Sequence, residues 1–164
     1  MKKVVRNILI GLYIIITIVV TYCLLSYNKY NVSEFKDKTL LILEDKTYNY
    51  HKSDLLVVKK STKYRKGDAV IYYDLQNSPV EVKINKIVNV EPVGDGIYTY
   101  TLDNEKKYND DNFIGTTKTT SAYSVLGTIY SLLTSKWGYL IIIIFPMLVA
   151  FIYEIYQIIR EIKK

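Results

Sequence analysis

The sequence predicts a mostly β domain held between two transmembrane helices. Three observations carry that expectation. An apolar run lies near each end of the 164-residue chain, the first without a charge, a basic flank stands outside each run, and short apolar stretches punctuated by Gly, Pro, Asn and Asp fill the space between.

Residues 8–27 read ILIGLYIIITIVVTYCLLSY. At about 1.5 Å of rise per residue, such a run crosses a hydrocarbon core of roughly 30 Å. Asn28-Lys29-Tyr30-Asn31 follow, with no small-x-small site, so the run is expected to stay as an anchor and not to be removed as a leader. The second run, 137–159, contains GYLIIIIFPMLVAFI and tolerates Pro146 as a mid-helix kink. Glu154 falls near its far end, about a turn and a half before Arg160, where it can snorkel or pair.

Lys2, Lys3 and Arg6 flank the first run, and Arg160, Lys163 and Lys164 follow the second. Short positive flanks stay on the cytoplasmic side. The chain therefore divides into a cytoplasmic stub (1–7), a span (8–27), an extracytoplasmic domain (28–136), a span (137–159) and a cytoplasmic tail (160–164), with the plasma membrane as the expected location. The central part is large enough for one hydrophobic core. The net charge of +6 comes largely from the flanks and is not a nucleic-acid footprint.

Within the central part, 39–43, 55–58, 69–73, 80–90 and 97–102 read as strands, separated by Lys-Gly-Asp, Asn-Ser-Pro and Val-Gly-Asp-Gly turns. Seventeen tyrosines suit pleated, half-buried surfaces. Residues 33–38 read as a juxtamembrane linker and 106–120 as a polar loop.

Chemistry-bearing residues are few. Cys23, the only cysteine, lies in the first span, so the central domain has neither a disulfide nor a thiol nucleophile. His51 is the only histidine and sits in a polar segment that reads as exposed. A multi-histidine zinc site is excluded, and no metal or cofactor is expected.

The order of blocks is informative: Ser53-Asp-Leu-Leu-Val-Val58, Lys66-Gly-Asp-Ala-Val-Ile-Tyr72, Ile84-Asn-Lys-Ile-Val88, Tyr98-Thr-Tyr-Thr-Leu-Asp-Asn104 and Val125-Leu-Gly-Thr-Ile129. This order resembles type I signal peptidases of the endoplasmic-reticulum and archaeal kind, which also occur in some Gram-positive bacteria. The resemblance spans nearly the whole chain, and Lys66-Gly67-Asp68 before an apolar strand is its strongest single piece. It implies a signal-peptidase-like β domain and a serine endopeptidase that removes signal peptides. In that family the nucleophile is the Ser of an S-M-x-P box, the base is a His in an H-R-I/V-V strand, and Asp residues of a G-D-N and a later D-D segment support them.

Carried over residue by residue, the serine position falls on Asp45, with Lys46-Thr47-Tyr48 in place of Met-x-Pro, and the histidine position falls on Asn85. An asparagine cannot take a proton from a hydroxyl near neutral pH. Only the acidic segment is retained, as Asp103-Asn104, with Leu102 in place of Gly, and Asp110-Asp111. Thr47 and Ser53 are fallback nucleophiles, read otherwise as turn residues before a strand. Alternation along a strand puts Lys83 and Asn85 on one face and Lys86 on the other.

Family members hold the extended segment around the cleavage site by main-chain pairing, which is β-strand addition. Thr39, Leu41 and Leu43, with Lys83 and Asn85, are the matching candidates for substrate binding. The implied partners are exported precursors or signal peptides and the lipid bilayer. Three functions follow as expectations. The first is a non-catalytic signal-peptidase homologue that binds exported precursors in a placement or assembly role, by analogy with non-catalytic relatives that assist surface-fibre assembly. The second is an active peptidase with a variant nucleophile. The third is an unrelated anchored β domain with a structural or sensory role.

Overall fold

A computed structural model describes residues 2–30, 32–43, 46–76, 80–94 and 96–162. The chain separates into a helical unit, residues 1–25 with 129–164, and a β unit, residues 26–128.

In the helical unit, α1 runs Lys2–Leu25 and α4 runs Phe145–Ile162. A short helix α3, Lys136–Gly138, and wide π-helical turns over Tyr139–Ile144 lead into α4. Val4–Leu25 and Lys136–Ile162 are each long and apolar enough to cross a membrane. The wide turns end just before Pro146, which has no N–H to give to the preceding turn and whose ring would crowd it. The two spans meet through polar groups: the Tyr13 hydroxyl donates to the Ile143 carbonyl at 2.6 Å, and the Thr21 and Tyr139 hydroxyls lie 2.9 Å apart. Within hydrocarbon, backbone and hydroxyl groups must find such partners in the protein.

The β unit contains two antiparallel sheets. One is ordered β1-β2-β3-β9, from Ser33–Glu34, Lys38–Ile42, Leu55–Lys59 and Thr120–Tyr123. The other is ordered β7-β6-β5-β4-β8, from Lys107–Asn109, Ile97–Leu102, Glu81–Gly94, Ala69–Asp74 and Phe113–Thr116. β4 reads as a continuous apolar run because both of its faces are covered. Ala69 and Ile71 join Leu41, Leu43, Leu56, Val58, Ile84 and Ile114 in one core. Val70 and Tyr72 turn the other way, into an aromatic core with Tyr64, Ile87, Tyr100, Leu102, Tyr108 and Phe113. β8 passes close to β3 at Gly115, where a Cβ would lie 2.6 Å from Val58 Cγ1 and 2.7 Å from the Lys59 carbonyl oxygen.

Three expectations need correction. The mostly β expectation holds only in part: the described residues are 43% helical and 34% strand, with two antiparallel sheets and two apolar helices at the ends. The spans and an eleven-residue helix α2, Ser124–Thr134, account for the difference. The expected loop 106–120 holds β7, β8, two 3-10 turns (Asp110–Asn112 and Thr117–Thr119) and the first residue of β9. Its strands are three or four residues long, too short for alternation to register against the polar residues around them. The expected linker 33–38 contains β1, with Ser33 fully buried and the Phe35 N–H closing a turn onto the Lys38 carbonyl. The strands expected at 39–43, 55–58, 69–73, 80–90 and 97–102 correspond to β2 through β6.

Candidate functional site

The β4–β5 register places Tyr72 opposite Lys83, Val70 opposite Asn85 and Asp74 opposite Glu81. Cross-strand partners share a face, so Tyr72, Asp74, Lys83 and Asn85 stand together. After β6, the Asp103 N–H caps the Lys86 carbonyl at 2.9 Å, and the turn closes through Leu102 N–H to the Lys106 carbonyl at 2.9 Å. This brings Asp103, Asn104 and Lys106 over the same face.

A chain of hydrogen bonds results. Asn104 Nδ2 donates to the Tyr72 hydroxyl at 3.1 Å, which donates to Asn85 Oδ1 at 3.0 Å, and Asn85 Nδ2 donates to the Asp103 carboxylate. An ionised carboxylate only accepts, so Asp103 fixes which end of the Asn85 amide it faces.

Beside this chain lies Asp74, which has no exposed surface. It receives the Tyr108 hydroxyl at 2.6 Å, Lys106 Nζ at 2.9 and 3.0 Å, and Lys83 Nζ at 3.2 Å. Lys83 also reaches Glu81 at 3.0 Å. Burial opposes ionisation of Asp74, but the Tyr108 hydroxyl and the two ammonium groups outweigh it and hold the carboxyl at about 2. Glu81 and Asp74 push Lys83 upward. Burial and the bond to Asp74 push Tyr108 upward as well. At neutral pH these groups are a carboxylate, ammonium ions and neutral phenols. None is a free amine or imidazole able to take a proton.

Of the residues singled out in the sequence, Lys83, Asn85 and Asp103 come together, and Lys86 projects from the opposite face. Asp110 and Asp111 are exposed in the 3-10 turn after β7. Asp110 is near enough that, after burial, its charge helps raise Tyr64 to about 12. Asp111 joins Glu34, Thr39, Lys60, Tyr73, Phe113 and Ile114 around a cleft of about 50 Å³. That is room for a few waters, well below the several hundred Å³ of a small-molecule site. Asp45 lies outside the described residues. Thr47 pairs with Tyr50 across a tight turn, and Ser53 holds a left-handed backbone, φ 67°, in the turn before β3. His51 is exposed, 3.8 Å from Asp54. Leu41 and Leu43 are packed into the core, and the Leu43 N–H and C=O are already bonded to Asp54 and Ser53; Thr39 reaches the small cleft.

Sequence reading missed Tyr72, Asp74, Lys106 and Tyr108. The available signal was a carboxylate ending the apolar strand 69–73, on the same face as Lys83 once 69–74 and 81–86 are folded as a hairpin.

Protein-family models, curated proteins and solved structures give no match to this chain.

The site also includes an edge. β4 covers one side of Glu81–Lys86, while pairing to β6 begins only at Ile87. Among the described residues the other side of 81–85 has no strand partner. Ile87 exchanges backbone bonds with Gly67 and Asp68, so by alternation 81, 83 and 85 also point their N–H and C=O toward β4, and Val82 and Ile84 point theirs to the open side. Similarly, β1 covers only Thr39 and Leu40 of β2. Among the described residues, no group of three or more His, Cys, Asp or Glu is gathered closely enough to hold a metal ion.

The buried Asp74 thus gathers Lys83, Lys106 and the Tyr108 hydroxyl around one carboxylate.

Proposed function

We propose that this chain is a membrane-anchored, signal-peptidase-like protein that binds extended segments of exported precursors without cutting them. The observation that carries this reading is the Asn85 clamp. At the position where the resemblance puts the general base, a carboxamide is bonded to the Tyr72 hydroxyl on one side and Asp103 on the other. Lys83, which shares that face, is held charged by Glu81 and Asp74. Hydroxyl attack on an amide needs a neutral base within reach.

Binding has separate support in the open edge of β5 beside the clamp, where Val82 and Ile84 present main-chain groups for an added strand. Two spans with basic flanks favour a two-pass arrangement in the plasma membrane with both termini cytoplasmic and the β unit outside.

The test is incubation of the full chain in liposomes with an exported precursor, scored for shortened product, with an active type I signal peptidase as positive control. No product is expected where the control cuts. Product at the signal-peptide junction overturns the non-catalytic reading, and Thr47→Ala and Ser53→Ala then identify whether either hydroxyl is the nucleophile.

A further inference from the structure

α2 exposes an apolar face. At about 100° per residue, Val125, Leu126, Ile129, Tyr130, Leu132 and Leu133 cover an arc of roughly 160°. Val125, Leu126, Ile129 and Leu132 are 75, 50, 49 and 56% exposed. The opposite face is small and polar: Ser124, Gly127, Thr128, Ser131 and Thr134.

That small face is engaged. A Cβ on Gly127 would overlap the Ser53 carbonyl oxygen and come within 2.5 Å of the Leu55 nitrogen, so the helix lies directly on the backbone of the turn before β3. Asp54 in that turn is held ionised chiefly by the Ser124 hydroxyl, together with the His51 N–H at 2.8 Å. The apolar arc is therefore on the side of the helix opposite Ser124 and Gly127, the residues that engage the turn.

We propose that this face lies in the lipid interface of the bilayer that the chain spans. Continuity identifies the occupant. α2 is followed by one extended residue, Ser135, and then directly by the Lys136–Ile162 span, so apolar surface passes from one helix to the next across Thr134, Ser135 and Lys136. Lys136 can snorkel and Trp137 suits the headgroup level. The hydroxyls at this end need no water: Thr134 Oγ1 donates to the Tyr130 carbonyl at 2.7 Å and Ser135 Oγ to the Leu132 carbonyl at 2.8 Å, while Ser135 caps the Gly138 N–H at 3.0 Å. Back-bonding of this kind is how Ser and Thr are accommodated out of water. The apolar face and the uncharged polar face fit an interfacial helix anchored by its neighbouring span, with no basic face of its own. This inference rests on membrane insertion of the spans and is independent of the peptidase-like reading.

The experiment uses the full chain with Cys23→Ala, reconstituted in phosphatidylcholine–phosphatidylglycerol vesicles and spin-labelled at Val125→Cys, Ile129→Cys, Leu132→Cys or Thr128→Cys. Collision rates with oxygen, which partitions into lipid, and with a water-soluble nickel chelate are compared. The proposal expects an oxygen-to-nickel ratio at least about threefold higher at 125, 129 and 132 than at Glu105→Cys, a solvent reference. Nickel access at 129 equal to that at 105 overturns it. So does an immobile label reached by neither reagent, which would put a second copy or another protein on the face. Ile129→Trp in a Trp137→Phe chain, read by brominated-lipid quenching, repeats the test with Cys23 intact: strong quenching is expected, and its absence overturns the proposal.

Discussion

At the residue scale, Asp74 sets the character of the site. Its carboxyl is lowered from an ordinary 3.8 to about 2. A lowered carboxyl contributes stability that is present above its unfolded value and lost as pH falls through its folded value. The β unit should therefore lose about 2 kcal/mol between pH 4 and pH 2, from a shift of nearly two units at about 1.4 kcal/mol each. Asp74→Asn should flatten that part of the profile. It should also cost about 3 kcal/mol at pH 7 in denaturant melts, because Lys83 and Lys106 lose a buried partner. Asn85→Asp tests the clamp differently. It sets a second carboxylate against Asp103, so about 1–3 kcal/mol should be lost at pH 7 and largely recovered below pH 4, where one of the pair takes a proton. A variant as stable as the parent at pH 7 would show that Asn85 and Asp103 are not in contact in solution.

At the element scale, the two cores and the β5 edge bear the argument. Gly115→Val should cost upward of about 3 kcal/mol, since the added atoms meet the Lys59 carbonyl and Val58. Val82→Pro probes the edge. It removes an N–H that points away from β4, so thermal stability should fall by no more than about 1 kcal/mol while crosslinking of an extended peptide is lost. Loss of folding would mean that this N–H is part of the ladder. The main strands were legible because β2 to β6 carry apolar runs bounded by turn residues. β1, β7, β8 and β9 were not, being two to four residues long and defined by pairing with distant strands. Lys83 and Asn85 were placed on one face by alternation alone. Tyr72, Asp74, Lys106 and Tyr108 join them through the β4–β5 register and the turn after β6, which no local pattern announces. Pro146 was expected as a mid-helix kink; the wide turns over Tyr139–Ile144 that precede it depend on backbone bonding that composition does not encode. α2 was hidden because its apolar residues merge with those of the span that follows.

At the scale of the whole molecule, helices long and apolar enough to cross a membrane precede and follow the β unit in the sequence, and among the described residues segment 81–85 of β5 has no strand partner on one side. The proposed role is to hold a chain segment at a membrane, and the groups gathered around Asp74 among the described residues, a carboxylate, ammonium ions and phenols, support a non-catalytic reading. The most direct measurement joins both halves of that claim. The full chain in liposomes carries a photo-crosslinking residue at Glu81, beside the open edge, and is illuminated with an exported precursor whose mature end is labelled. The result expected is a crosslinked precursor of full length, lost when Val82 is changed to Pro. A crosslinked or released fragment cut at the signal-peptide junction, or a full-length precursor that never crosslinks, would contradict it.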